Sequence, residues 1–144
     1  MDNTELALLI DRFMRRIHFG LQSKAYAFDT AKVGPGGGIV LLTLADMGCP
    51  SLHELTTRVS RDKSQMTRTI RSLESKGLVA RQTSSHDARV THVALTEDGQ
   101  NVVRTLRDVV AETIGDVLSP ISMQEEQVLK SLLKRALSSD EGPS

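Results

Sequence analysis

The sequence has few aromatic residues and almost no cysteine, and each shortage excludes a class of protein. Its 144 residues include no tryptophan, one tyrosine and three phenylalanines, which is too few rings for binding single-stranded nucleic acid by base stacking. The single cysteine, Cys49, cannot form an intramolecular disulfide and fits a reducing compartment. No apolar run approaches the ~20 residues of a membrane helix, and no basic stretch precedes an apolar one at the N-terminus. We therefore expect a soluble, cytoplasmic protein without a membrane partner.

Charge of one sign is also lacking overall, because 18 basic residues balance 18 acidic ones. The distribution is uneven, however. From Arg58 to Arg89 there are eight basic residues and three acidic ones, so this segment carries +5 and the rest of the chain −5. A basic segment between acidic arms attracts phosphate locally and orients its approach. The eight basic residues are Arg58, Arg61, Lys63, Arg68, Arg71, Lys76, Arg81 and Arg89.

The N-terminal part predicts two helices separated by a connector. Apolar residues at helical spacing predict a long amphipathic helix over about residues 5–28. The run from Val33 to Gly38 has four glycines and a proline, which disfavour a helix, so we predict a connector there and a second helix over about 39–47. The glycines do not form a phosphate loop, because Ile39 and Val40 stand where that loop needs lysine and a hydroxyl.

Three pairs of residues predict where further helices begin. Each pair can satisfy free amides of a helix's first turn. The pairs are Ser51 with Glu54, Asp62 with Gln65, and Ser122 with Glu125. They predict helices at about 52–59, 63–76 and 123–138. Only Val59, Ser60 and Arg61 separate the first two, which is typical of a helix-turn-helix.

A β-hairpin and a long helix complete the predicted fold. Residues 78–82 and 90–95 are rich in β-branched residues around a polar turn. From Thr96, a predicted N-cap, apolar residues recur helically up to Pro120. We therefore predict a mainly α (α+β) fold in one domain, 1–144, with its winged helix-turn-helix at 39–95. The terminal helices, 5–28 and 97–138, show more apolar surface than this unit can cover, which predicts a homodimer.

The helix that starts near Lys63 has a core face and a polar face. Met66, Ile70 and Leu73 fall within one arc, and the opposite arc carries arginines, serines and an amide with no carboxylate before Glu74. Arginine can pair with guanine, glutamine with adenine, and serine with either, so this face suits the major groove of duplex DNA. Its polar residues are Ser64, Gln65, Arg68, Arg71, Ser72 and Ser75.

The predicted hairpin adds a second DNA-contacting element. Asp87 stands two residues before Arg89 and can orient its guanidinium towards a minor groove. An ordinary surface ion pair is the alternative interpretation of these two residues. Together the two elements predict a DNA-binding surface of Lys63, Ser64, Gln65, Thr67, Arg68, Arg71, Arg81, Asp87 and Arg89.

These motifs resemble the MarR family of bacterial and archaeal regulators. The resemblance rests on the run from Asp62 to Arg81, on Asp87-Ala-Arg89, and on Leu95-Thr-Glu-Asp-Gly99. It implies that Thr67 and Arg68 lie on the recognition helix, that Asp87 and Arg89 lie on the wing, and that Leu95 to Gly99 open the helix leading to the dimer interface.

The resemblance also implies a dimer whose first, fifth and sixth helices interlock and which grips a pseudo-palindromic duplex. It implies repression, often relieved by a small ligand or by thiol oxidation, with the ligand near the start of the second helix. The glycines of 34–38 depart from the family pattern at that position. We expect Leu9, Phe13, Leu118, Val128, Leu132 and Leu133 to form the dimer contact.

Other functions find weaker support in the sequence. His53-Glu54 lacks the second histidine of a zinc-protease helix, and no nucleophile, base and orienting group can be placed together, so we expect no enzyme and no cofactor. A metal sensor could use His86, Asp87 and His92, or Cys49 with His53, but neither set completes a ligand shell.

Two further alternatives stay open at this point. Cys49 could sense oxidation, although it follows the second helix rather than lying near the first, where the family's peroxide-sensing cysteine usually lies. The basic helix could also bind an acidic protein in place of DNA. Salt dependence and sequence preference on duplex DNA distinguish these two partners.

Overall fold

The structure is a computed structural model that describes residues 2–24, 33–59 and 62–138. In this part of the chain, six helices and one two-stranded antiparallel sheet follow one another in the predicted order. The prediction of a mainly α winged helix-turn-helix with a two-stranded wing is confirmed. The elements are α1 (Thr4–Ser23), α2 (Gly34–Met47), α3 (Leu52–Val59), α4 (Lys63–Ser75), β1 (Val79–Thr83), β2 (Thr91–Leu95), α5 (Glu97–Val117) and α6 (Met123–Leu137).

The chain divides into two compact units. The winged-helix unit is Gly20–Val110, and the terminal unit is Met1–Phe19 with Ala111–Ser144. The first contains α2, α3, α4, the hairpin and most of α5, and the second contains most of α1 and all of α6.

The winged-helix unit is built around one apolar core. Helices α2 to α5 contribute buried apolar side chains, and the sheet adds residues from the start of β1 and the middle of β2. On α4, Met66, Ile70 and Leu73 are no more than 1% exposed, as predicted. The buried core consists of Val40, Leu41, Leu44, Leu55, Met66, Ile70, Leu73, Leu78, Val79, Val93, Val103 and Leu106.

The predicted connector at Val33 to Gly38 is wrong, because α2 begins at Gly34. A proline in the first turn loses no hydrogen bond, since the amides there have no partner within the helix. Gly37 also has a packing role: a Cβ at this position would lie 3.1 Å from Cβ of Val33 and 3.4 Å from Cδ2 of Leu73 on α4. The lack of a side chain at Gly37 therefore allows the start of α2 to lie close to Leu73 of α4.

The predicted bounds of the other elements agree with the structure to within a residue or two, with one exception. The first helix ends at Ser23, followed by a turn at Lys24, whereas 28 was expected as its end. Residues 25–28 lie outside the described residues. So do Ser60 and Arg61, and with them most of the predicted turn between α3 and α4.

The wing joins α4 through a tight junction. Gly77 ends α4 with a φ of 75°, a left-handed conformation that favours glycine. The hydroxyl of Thr96 donates to the carbonyl of Gly77 at 2.6 Å and accepts from the amide of Gly99 at 3.1 Å. A Cβ on Gly99 would lie 2.0 Å from the carbonyl oxygen of Leu78. The Leu-Thr-x-x-Gly motif is therefore the contact that fixes the root of the wing.

The terminal unit presents its apolar side chains to solvent. Neither α1 nor α6 has a buried residue. The side chains of Leu9, Val128, Leu132 and Leu133 are each 51–59% exposed, and Phe13 and Leu118 are partly buried. None of the described helices is long and apolar enough to span a membrane.

Candidate nucleic-acid interface

The start of α4 is fixed by its cap. Asp62 is extended, and its carboxylate accepts a hydrogen bond from the amide of Gln65 at 2.8 Å. This bond satisfies one of the free amides of the first turn, so α4 begins at a defined residue. Lys63, Ser64 and Gln65 are then exposed on the first turn of the helix.

The core face of α4 determines which side chains point outward. Because Met66, Ile70 and Leu73 are buried, Arg68 and Arg71 lie exposed on the other side of the helix, with Ser64, Ser72 and Ser75. Among residues 2–24, 33–59 and 62–138, no carboxylate forms an ion pair with Lys63, Arg68 or Arg71. Within the described part of the chain, these three cations are therefore not neutralised by a carboxylate.

Thr67 differs from its neighbours on the predicted surface. It is partly buried, and its hydroxyl donates to the carbonyl of Lys63 at 2.8 Å. The hydroxyl proton is therefore used within the helix, and only the oxygen lone pairs remain for a ligand.

The wing carries its arginine at the end of a structured turn. The strands pair from Val79 with Leu95 to Thr83 with Thr91. Beyond them, the carboxylate of Asp87 accepts from the backbone amide of Arg89 at 2.9 Å and from its guanidinium at 3.2 Å and 3.4 Å. These hydrogen bonds lower the pKa of Asp87, and the bond from the backbone amide of Arg89 has the largest effect. The side chain of Arg89 is 92% exposed, so Asp87 orients it without covering it.

Arg81 is held differently. From β1 it donates to both carboxylate oxygens of Glu74 on α4, at 3.2 Å from Nε and 2.9 Å from a terminal nitrogen. The pair is partly screened from solvent, with side chains 39% and 35% exposed. Hydrogen bonding to Glu74, and then its charge, raise the pKa of Arg81. The charge of Arg81 is therefore balanced by a carboxylate of the neighbouring helix α4, unlike the charges of Arg68 and Arg71 in the described part of the chain.

Two clefts border this surface. One of about 460 Å³ has Lys63 of α4 and Arg89 of the wing among its lining residues, so the structure brings these two predicted residues together. A groove of about 280 Å³ lies between the start of α2 and α4 and includes Gly36, Gly37 and Arg68. The larger cleft is lined by Ser51, Leu52, His53, Thr56, Lys63, Arg89, Val90 and Thr91.

Sequence reasoning missed several residues of this region. His53, Thr56 and Thr91 line the larger cleft although they are distant in sequence, and no spacing indicated that α3 and β2 meet there. Glu74 was counted only as the carboxylate that ends the basic face. Glu74 lies about one helical turn before Gly77, and an arginine follows on the next strand. This spacing could have predicted the pair of Glu74 and Arg81.

The histidine and cysteine positions make no metal centre in the described part of the chain. No three His, Cys, Asp or Glu side chains there come together as a metal site would require. Cys49 is exposed, and its carbonyl accepts a hydrogen bond from Nδ1 of His92 at 3.1 Å. These two residues link the end of α2 to the wing strand.

Comparison with known proteins agrees with the fold. The MarR family model matches residues 39–91. A cysteine-to-serine mutant of MarR from E. coli is 26% identical, with a TM-score of 0.67 over 85% of this chain and 94% of that one. A mutant of MepR from S. aureus bound to an oligodeoxyribonucleotide is 21% identical, with a TM-score of 0.62 over 96% and 98%. PcaV from Streptomyces coelicolor, in complex with its natural ligand, is 22% identical, with a TM-score of 0.61 over 97% of each chain.

The order of elements defines a winged helix-turn-helix fold, of the kind found in solved MarR-family transcription regulators. The chain is similar to the MarR family over residues 39–91, a range that includes the motifs from Asp62 to Arg89 on which the predicted resemblance rests.

Proposed function

We propose that this protein is a sequence-specific regulator that binds double-stranded DNA as a homodimer, on a pseudo-palindromic operator, and represses transcription there. The proposal assigns binding to the winged-helix part, 39–95, and dimerisation to 5–28 and 97–138. It gives the chain a binding role without a catalytic step, exercised where DNA is, in the cytoplasm.

The observation that carries the proposal is the pair of exposed basic elements beside one cleft. Lys63, Arg68 and Arg71 extend from one face of α4 without an ion-pair partner in the described part of the chain, and Arg89 extends from the wing. A helix of this width fits the major groove, and an extended arginine fits the adjacent minor groove. The solved structure of MepR with an oligodeoxyribonucleotide supports this use of the fold.

The residues have different roles in the proposal. Arg68, Ser64 and Gln65 read base edges, because their donors and acceptors face outward from the first two turns of α4. Lys63, Arg71 and Arg89 bind phosphate or the minor groove, and Asp87 orients Arg89. Thr67 accepts rather than donates, since its proton is already used.

We propose that a second copy of the chain buries the exposed apolar side chains of the terminal unit. Leucines and a valine on α6, and Leu9 on α1, are about half exposed, which is costly for large apolar side chains in water. A two-fold axis would double the DNA-binding elements and explain a palindromic operator. The proposed contact residues are Leu9, Phe13, Leu118, Val128, Leu132 and Leu133.

A small-molecule effector is proposed to act at the groove between α2 and α4. The groove includes Gly36 and Gly37, where side chains are absent, and it reaches Arg68 on the recognition helix. A ligand seated there would restrict Arg68 and so weaken base recognition. This location agrees with the expectation from the second-helix junction.

The test is a fluorescence-anisotropy titration with the duplex upstream of the protein's own gene, against a scrambled duplex, at two salt concentrations. A dimer that makes about 8 phosphate contacts has a log–log salt slope near −7. Tight, selective and salt-sensitive binding supports the proposal. Weak binding to every promoter duplex with a slope near zero overturns it in favour of an acidic protein partner.

Two arginine variants locate the contact surface. We expect Arg68→Ala to cost about 1–3 kcal/mol of binding free energy and to relax base preference, and Arg89→Ala to weaken all duplexes evenly. Arg104→Ala is the matched control, because Arg104 is an exposed arginine of α5 that donates to Asn101 at 2.8 Å. If Arg68→Ala and Arg89→Ala bind like the Arg104→Ala control, the proposed surface is wrong.

A further inference from the structure

The hydrogen-bonded pair of Glu74 and Arg81 joins the recognition helix to the wing, on either side of the junction between α4 and β1. That junction contains Gly77, whose φ of 75° reverses the chain between α4 and β1. Its hydrogen bonds hold the root: the amide of Leu78 donates to Leu73 at 3.0 Å, and that of Thr96 donates to Leu78 at 3.0 Å. These contacts fix the first residue or two of the wing and do not reach its outer half.

Three residues further out, Arg81 makes the next link between the two elements. It occupies the middle of β1, opposite Val93 of β2. Its guanidinium meets the carboxylate of Glu74 through two hydrogen bonds, at 2.9 Å and 3.2 Å. A two-point contact of planar groups constrains direction as well as distance. The pair therefore braces the strand against rotation about its root.

The second strand has its own anchor on the opposite side. The amide of Val93 donates to the carbonyl of Pro50 at 2.9 Å, and His92 pairs with Ser51 across an isolated bridge. With Arg81 tied to α4 and Val93 tied to the chain before α3, the middle of the hairpin is held at both edges. The outer residues, from Ser84 to Val90, extend beyond these ties and carry Arg89.

We propose that Glu74 and Arg81 form a brace that sets the angle between the recognition helix and the wing, so that Arg81 is a positioning residue for DNA binding rather than a phosphate contact. This inference rests on the proposed function for its effect on DNA, and the brace itself can be tested in the free protein. It revises the expectation that Arg81 touches DNA directly.

Replacing Glu74 by glutamine gives opposite results under the two roles. If Arg81 contacts phosphate, removing a carboxylate from the DNA-facing region frees its charge, tightens binding and steepens the salt slope. If the pair is a brace, the wing loses its orientation and binding weakens. For a partly exposed pair we expect Glu74→Gln to weaken duplex binding about 2- to 5-fold at low salt, with an unchanged salt slope.

The charge-swapped double variant, Glu74→Arg with Arg81→Glu, separates the roles again. It keeps the net charge and restores a pair across the same junction, so a brace predicts recovery of affinity relative to either single variant. A direct contact predicts no recovery, because a carboxylate then stands where phosphate was bound. The matched controls are the two single variants, Glu74→Arg and Arg81→Glu, each of which breaks the pair and should bind more weakly than the double variant if the pair is a brace.

A measurement without DNA keeps the two proposals distinct. In ¹⁵N relaxation of the free protein, the amides from Ser84 to Val90 should gain fast motion in Glu74→Gln, while those of α2 keep wild-type values. Unchanged hairpin relaxation, or tighter DNA binding by Glu74→Gln, overturns the brace. If the hairpin loosens but the wild-type protein binds no duplex, the brace stands and the proposed DNA-binding function fails.

Discussion

The winged-helix unit buries its large apolar side chains, whereas the terminal unit leaves its own about half exposed. Leu44 and Leu55 of the first are 0% exposed, while Leu132 and Leu133 of α6 are each 51% exposed. Helical spacing of apolar residues predicted a stripe in both places. The same helical pattern therefore closes a core in one unit and leaves an apolar surface in the other, where we propose that a second copy binds.

The largest expected effect comes from comparing a leucine of each kind. Leu44→Ala should lower the free energy of unfolding by about 2–5 kcal/mol, because it leaves a cavity in a closed core. Urea denaturation followed by circular dichroism would show this loss at every protein concentration. Leu132→Ala should instead weaken self-association, seen as a lower mean mass in sedimentation on dilution. Equal, concentration-independent losses in both variants would refute the proposed dimer contact.

The next largest effect is the change in stability when a glycine of each unit is replaced by alanine. Gly99→Ala should destabilise the protein by about 1–3 kcal/mol, because an added methyl meets the carbonyl of Leu78. Gly115→Ala is the matched control in the same helix. No atom lies within 4 Å of its would-be Cβ, so it should stabilise the protein by about 0.4–1 kcal/mol. Thermal melts of both variants test the prediction, and a Gly99→Ala protein as stable as wild type would contradict the close contact.

The smallest effects concern the helix caps, which should be alike in both units because a cap is local. Ser51 with Glu54 on α3, and Ser122 with Glu125 on α6, form the same reciprocal pair of hydrogen bonds. Ser122→Ala should cost about 1 kcal/mol, and Ser51→Ala a similar amount. Clearly different losses, measured by urea denaturation, would show that a cap depends on its surroundings.

The caps also predict a pH dependence. Hydrogen bonds from the backbone of Ser51 and Ser122 lower the pKa of Glu54 and Glu125 below the ordinary 4.5. A lowered pKa in the folded state gives stability that is present above the unfolded value and is lost as pH falls through the folded one. Stability should therefore decline on acidification below about pH 4.5, and the double variant Glu54→Gln with Glu125→Gln should show a smaller decline in acid unfolding.

Local chemistry explains why most elements could be predicted. Asp62 and Ser122 cap helices through bonds that span three residues, and Gly77 ends one through its own backbone conformation. Such effects need no distant partner, so they can be predicted from a few neighbouring residues. The buried face of α4 was equally accessible, because helical geometry alone places Met66, Ile70 and Leu73 together.

The errors arise where distant residues meet. The run from Gly34 to Gly38 looks like a connector by propensity, yet α2 begins at Gly34. Within it, Gly37 packs against Leu73 of α4, a contact between distant residues that helix propensity does not include. The candidate site shows the same limit: Lys63 and Arg89 share a cleft, and Arg81 is tied to Glu74, through contacts between separate elements.

Residues within a few positions of one another were enough to predict most helix and strand bounds, the caps, the core face of α4 and the motifs that resemble the MarR family. The tertiary structure alone decided that Arg81 pairs with Glu74, that α2 begins in its glycine run, and that α3, α4 and the wing border one cleft. Those outcomes depend on how surfaces distant in sequence fit together, which pairwise spacing along a chain does not specify.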